Sequence, residues 1–237
     1  MGKVVTALVN ENPDMQITAG VDINTDKLSS YPVYANPCDI SQDADVIIDF
    51  SSPAALSGLL KIGTERKLPV ILCATGYTQE QIINIEKTSE LIPVFRSGNM
   101  SLGINLLADL IKRVCNVLGD AFDVEIVERH HKRKVDAPSG TALMLADAAA
   151  SALPYDTEYV FERESRRQPR SNKEIGISAV RGGTIVGVHD VIFAGPDEVI
   201  EIRHTASSRD IFATGALKAA AFIVDKSPGM YNMSDVL

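Results

Sequence analysis

Hydrophobic and polar positions follow one pattern through the first hundred residues and another after them. Residues 2–10 (Gly-Lys-Val-Val-Thr-Ala-Leu-Val-Asn) read as a short helix, and residues 15–22 as a strand closing on an acidic residue, Asp22. Three β-rich runs follow at 44–50, 68–73 and 92–95. Ser51-Ser52-Pro53 caps and opens a helix through Leu60 between the first two, and Thr78-Gln79-Glu80-Gln81 forms a capping box for another helix after the second. Strands alternating with helices at this spacing predict a parallel sheet with binding loops at the strand C-termini. Between 102 and 118, apolar spacing at 103, 107, 110, 114 and 117 or 118, counting Gly103, predicts an amphipathic helix stopped by Gly119 that leads into a second domain. The run 122–128 is β-branched and alternating and reads as a strand delivering His130 and His131 at its end. Further on, 174–181, 184–193 and 198–204 are β-rich and separated by Gly182-Gly183 and Gly195-Pro196-Asp197, which predicts a mainly antiparallel sheet. A helix over 211–224 and a tail over 229–237 end the chain.

Composition narrows the function classes. With 45% hydrophobic and 23% charged residues over 237 positions, the chain can build one large or two small cores of an ordinary soluble protein. A net charge of -8 argues against nucleic-acid binding, which needs a basic face. The one local exception, Arg163, Arg166, Arg167, Arg170 and Lys173, reads as a solvated loop or a subunit contact. Cys38, Cys73 and Cys115 are isolated and odd in number, so neither a disulfide framework nor a zinc site is indicated and a reducing cytoplasm fits. No apolar run approaches the roughly 20 residues of a membrane span, and no export signal is seen at the start.

Chemistry concentrates in Glu128-Arg129-His130-His131-Lys132-Arg133-Lys134-Val135-Asp136-Ala137-Pro138-Ser139-Gly140-Thr141-Ala142. Successive strand side chains alternate faces, so the two histidines should not converge on a metal. Pro138 blocks continuation of the strand, and Ser139 or Thr141 can N-cap the helix-forming run 142–150. A glycine at a helix start offers backbone N–H groups and the positive dipole end to a carboxylate or phosphate. Lys134 adds a mobile cation. The stretch therefore reads as a small-anion pocket with proton donors beside it. His189 and His204 read as ordinary polar strand residues.

The run His-His-x-x-Lys-x-Asp-Ala-Pro-Ser-Gly-Thr-Ala resembles the signature of the 4-hydroxy-tetrahydrodipicolinate reductase (dihydrodipicolinate reductase) family, enzymes of the diaminopimelate route to lysine. That resemblance covers nearly the whole chain. It implies a Rossmann-like dinucleotide-binding domain over 1–100 and 210–237 and an α+β substrate-binding and oligomerisation domain over 101–209. It also implies NADH or NADPH as cofactor, a cyclic imine dicarboxylate as substrate, and a homotetramer built through the second domain's sheet. His130 and Lys134 are the implied catalytic residues, with His131, Lys134, Ser139, Gly140 and Thr141 on the substrate carboxylates. Cofactor contacts carry over to Asp22, to Cys73, Ala74 and Thr75, and to Ser97, Gly98, Asn99 and Met100. The family's glycine-rich turn resembles Gly-x-x-Gly-x-Met-Gly, and Met1-Gly2 match only its last two residues. A natural chain longer by a strand and that turn is expected, because the missing strand would be central and leave two neighbours unpaired. A second reading is a homologue that binds a small dicarboxylate without efficient dinucleotide binding or catalysis. Asp22 beside the adenosine ribose favours NADH, since a carboxylate repels a 2′-phosphate; Lys27 is the nearest cation that could offset it.

Overall fold

A computed structural model describes residues 1–25 and 30–237. The chain divides into two compact units, Met1–Met100 with Asp210–Leu237, and Ser101–Arg209. The first unit opens with α1 (Gly2–Asn10) and β1 (Gly20–Val21), which pairs in parallel with β2 (Val33–Tyr34). The strand expected over 15–22 is thus realised only at its end, because a strand exists where a ladder does and β2 offers two residues. Next come β3 (Ile47–Asp49), α2 (Leu56–Arg66), β4 (Val70–Leu72), α3 (Gln79–Ser89) and β5 (Pro93–Arg96). β4 lies between β3 and β5, parallel to both. All three of its residues are buried, as a strand covered on both faces requires. α3 starts on the expected box: Thr78 Oγ1 accepts from the Gln81 N–H at 3.2 Å, and Gln81 Oε1 accepts from the Thr78 N–H at 2.9 Å. α2 starts later than expected. Pro53–Ala55 form a 3-10 turn first, and Ser51 spends its N–H and hydroxyl on Asp49 Oδ1, at 2.8 and 2.5 Å, instead of on a helix.

The second unit begins with α4 (Leu102–Leu118), capped by Ser101 and closed at Gly119 in a positive-φ conformation. β6 (Asp123–His130) alternates without fault between partly exposed and buried positions. α5 (Gly140–Ala150), β7 (Glu158–Val160), β8 (Glu174–Arg181), β9 (Gly187–Ala194) and β10 (Val199–Ala206) complete a sheet of order β10-β9-β6-β8-β7. This sheet is mixed: β6/β9 and β9/β10 are antiparallel, while β6/β8 and β7/β8 are parallel. The parallel half arises because α5 carries the chain back to the end where β6 began, the geometry of a crossover. Gly182-Gly183 consequently makes no hairpin. β8 and β9 flank β6, and the link between them passes the end of β6, where the Gly182 N–H donates to the His130 carbonyl at 2.9 Å. Gly195-Pro196-Asp197 does close the β9/β10 hairpin, with the Gly195 N–H on the Glu198 carbonyl at 2.9 Å.

α4 and α5 cover one sheet face, where Ile104, Leu107, Ile111 and Leu145 pack on Val124, Ile126, Ile175 and Phe193. The other face carries ions. Arg129 and Arg203 share Asp190, Arg170 holds Asp123 and Glu125, and Arg163 bridges Glu125 and Glu174 at 2.9 and 2.7 Å. The basic cluster is therefore more than a solvated loop: Arg163, Arg166 and Arg170 are spent on acids of their own unit.

α6 (Asp210–Ile223) and β11 (Gly229–Tyr231) then rejoin the first unit, where β11 pairs in parallel with β5 to give the order β11-β5-β4-β3. Among the described residues β1 pairs only with β2, and β3 only with β4. Residues of α1, β1, β3, α2 and α6 line a cavity of about 1130 Å³. No helix among the described residues is long and apolar enough to cross a membrane.

Candidate active site

Alternation along β6 puts Glu128 and His130 on the helix-covered face, continuing the line of Val124 and Ile126. Register supplies the rest: Glu128 lies opposite His189 of β9, and His130 opposite Arg181 of β8. Glu128 is fully buried, and each of its oxygens is used twice. Oε1 accepts from the Ser139 N–H at 3.0 Å and Arg181 Nη2 at 2.7 Å; Oε2 accepts from Arg181 Nη1 and from His130 Nδ1, both at 2.7 Å. Burial works against its charged form, but the arginine, the imidazole and the backbone donor outweigh it and hold the carboxyl below the usual range. His130 Nε2 lies at the other end of the ring, beside Gly187, where a Cβ would come within 3.2 Å.

α5 begins beside this cluster. Ser139 is its N-cap, with Oγ accepting from the Ala142 N–H at 3.2 Å and standing 3.1 Å from His189 Nε2. A Cβ on Gly140 would meet nothing within 4 Å, so the helix N-terminus is open to a ligand. Lys134 folds back on Asp136 at 2.9 Å and holds that carboxyl low. His131 has left the strand, and its Nδ1 is buried with no hydrogen-bond partner. The structure thus gathers His130, Ser139 and the start of α5 around Glu128. It adds three residues to which sequence reasoning gave no role, Glu128, Arg181 and His189. Only the pairing register, joining positions 53 and 61 residues apart to β6, reveals them.

His189 is buried and edge-on to His130, with ring centroids 5.2 Å apart. Burial first, then the neighbouring His130, push its pKa from 6.5 down to about 4. The unfolded chain therefore takes up a proton that the folded chain refuses, so stability is full above about pH 6.5 and falls as the pH drops towards 4. Roughly 2 kcal/mol should go between pH 6.5 and 5. His189→Gln keeps a partner for Ser139 and should flatten that slope in urea titrations; an unchanged slope would show that His189 is not the group.

Asp22 sits at the end of β1, and its carboxylate accepts from the Asn24 N–H at 3.0 Å. Lys27 lies outside the described residues. Cys73, Ala74 and Thr75 follow β4, and Ser97, Gly98, Asn99 and Met100 follow β5, so both loops stand at C-terminal ends of parallel strands. Burial and the charge of Asp49 push the Cys73 thiol far up, so it is no thiolate nucleophile. Ser97 Oγ donates to the Asn99 carbonyl at 2.9 Å, and the Met100 side chain is buried while its carbonyl lies against Gly215. A dinucleotide fits these residues. The Asp49 carboxylate at the end of β3 interacts with the Tyr77 hydroxyl in the loop after β4, and Gly2 at the start of α1 has open space where a Cβ would stand.

Parallel-strand loops suited to a dinucleotide, with acid–base groups beside a helix N-terminus in a second unit, define a two-domain nicotinamide-dependent reductase. The solved structure of dipicolinate-bound dihydrodipicolinate reductase from Paenisporosarcina sp. TG-14 has this fold, with a TM-score of 0.80 at 23% identity over 100% of this chain and 95% of that one. Residues 1–100 match the family model described as dihydrodipicolinate reductase, N-terminus, and residues 103–237 the one described as its C-terminus. The chain is 53% identical to the 4-hydroxy-tetrahydrodipicolinate reductase of Caldanaerobacter subterraneus subsp. tengcongensis, over 100% of this chain and 94% of that protein. Against the enzyme of that name from Clostridium tetani it is 49% identical, over 100% of this chain and 92% of the other. The chain belongs to the dihydrodipicolinate reductase family.

Proposed function

We propose that this protein reduces 4-hydroxy-tetrahydrodipicolinate to tetrahydrodipicolinate, consuming NAD(P)H and a proton and releasing water. The observation that carries the reading is the Glu128–His130 pair beside the open N-terminus of α5, in a chain about half identical to reductases of that name. Bound NAD(P)H supplies the hydride. The carboxylates of a cyclic dicarboxylate fit the Gly140 and Thr141 N–H groups, Ser139, His131 and Lys134, a set that combines the helix dipole with a cation. His130 delivers the proton from Nε2, since Nδ1 is engaged by Glu128, and Lys134 is a second donor. A dipicolinate-bound relative of the same fold agrees with a planar dicarboxylate as ligand. In the other unit, Asp22 receives the adenosine ribose, Cys73–Thr75 and Ser97–Met100 border the nicotinamide and its ribose, and α1 offers its N-terminus to the pyrophosphate. The test is oxidation of NADH, followed by its absorbance, by the purified chain with freshly generated substrate. Dicarboxylate binding without turnover would favour the non-catalytic reading.

NADH should be preferred. Asp22 places a carboxylate at the end of β1, an acceptor for ribose hydroxyls that repels a 2′-phosphate. The preference in kcat/KM should be about tenfold for each 1.4 kcal/mol of repulsion that survives screening, and it should shrink with salt. Equal efficiency with both cofactors at low salt would remove Asp22 from the ribose. The second unit's sheet suits a homotetramer, because Ser178, Ala179 and Val180 of β8 and alternate residues of β10 are exposed on a sheet that helices cover on one face only. Light scattering of the purified chain checks this, and a monomer would exclude it. A cytoplasmic site of action fits three unpaired cysteines.

A further inference from the structure

We infer that Glu128 is a positioning residue for this reduction: its carboxylate clamps His130 by Nδ1, leaving Nε2 as the one ring atom that can hand over a proton. The inference rests on the reading of His130 as the general acid. Three features of the geometry support it. First, Glu128 is fully buried with all four acceptor positions filled, so it cannot rotate away from the ring without breaking its bonds to Arg181 and Ser139. Second, the same Oε1 that binds Arg181 also binds the Ser139 N–H, so one carboxylate fixes both the proton donor and the residue that caps the proposed carboxylate nest. Third, Arg181 Nη2 also donates to the Asp136 carbonyl at 2.6 Å, which ties the loop bearing Lys134 to the same anchor. A fixed tautomer and fixed ring direction are what a donor needs when its proton must leave from one nitrogen.

The charged and titratable groups nearest His130 in chain and sheet are Glu128 on β6 itself, Arg181 opposite it on β8, His189 on β9 edge-on to the ring, and Lys134 in the following loop. His204 on β10 acts one strand further out, through His189. Of these only Glu128 is an anion in contact with the ring. Removing its charge should therefore release the ring from its fixed tautomer, while loss of packing alone would leave the tautomer unchanged.

The test is a double-mutant cycle on the full chain, with kcat and KM measured for Glu128→Gln, His130→Gln and the pair. Glu128→Gln should lower kcat by about 10- to 100-fold, with substrate KM changed less than about threefold, since the amide oxygen can still accept from Ser139 and Arg181. In the His130→Gln background the same substitution should cost less than about threefold, because those bonds remain and there is no imidazole left to orient. An equal loss in both backgrounds, or a loss carried by KM instead of kcat, would overturn the inference and leave Glu128 a structural acid. Near-normal turnover of His130→Gln alone would instead overturn the acid assignment on which the inference rests. Since Glu128→Gln strands Arg181 and could unfold the unit, nitrogen NMR of the unaltered protein gives an independent check. Neutral His130 should carry its proton on Nδ1, and the opposite tautomer would exclude the clamp.

Discussion

Lys134→Ala is expected to lower kcat/KM for the dicarboxylate by about 10²- to 10⁴-fold while leaving NADH binding unchanged. Lys134 is the only one of the three cations at 132–134 that is not exposed, and its ion pair with Asp136 holds the ammonium in place instead of letting it sweep through solvent. The dipole of α5 and a few N–H groups can orient a carboxylate, but they supply no full charge and no proton. Removing the ammonium takes away both, so kcat should fall as well as affinity. His130→Gln should fall in the same range. Near-normal turnover in both variants would show that the residues gathered around Glu128 are not the reaction centre.

The second large effect concerns Gly215 in α6. A Cβ there would lie 1.7 Å from the Met100 carbonyl oxygen, and backbone cannot swing aside as a side chain can. Gly215→Ala must therefore push α6 away from the segment Ser97–Met100, which is proposed to border the nicotinamide. We expect a loss of about 3 kcal/mol or more, at the upper end for overpacking, together with a raised KM for NADH. Gly176→Ala makes a useful contrast. Its Cβ would meet Glu125 just as closely, but at the far end of a side chain that can move. Thermal denaturation and NADH titration decide, and an unchanged melting temperature for Gly215→Ala would mean that α6 does not press on that loop.

Much of this architecture could be read from local signals. α4 was legible because Ser101 and Gly119 bracket one uninterrupted amphipathic run, and α3 because Thr78 and Gln81 form a complete box. The stretch 130–141 was legible as chemistry because a strand end, a proline and a helix start crowd charged groups together. Elements defined by partners were not. Residues 15–22 have strand-like composition, yet only Gly20 and Val21 find a neighbour, and the parallel placement of β8 depends on a crossover that β-rich composition does not encode. Glu128 looked like one more polar residue of an alternating strand. Its role comes from Arg181 and Ser139, which sequence distance hides. Arg163, Arg166 and Arg170 read as part of a solvated loop or a subunit contact for the same reason, since the acids that hold them sit on β6, β7 and β8.

The return of α6 and β11 to the first unit bears on how the chain acquires its shape during synthesis. Residues 101–209 are continuous, so that unit can fold as soon as it clears the ribosome. The sheet of the other unit lacks its β11 edge, and α1 lacks its contact with α6, until residues 210–231 have been made. The portion made first is thus completed last. A nascent chain arrested near residue 210 should carry a protease-resistant second unit and a protease-sensitive first one, and a premature stop in α6 should leave the proposed dicarboxylate pocket formed while the loops proposed for the dinucleotide have no settled support.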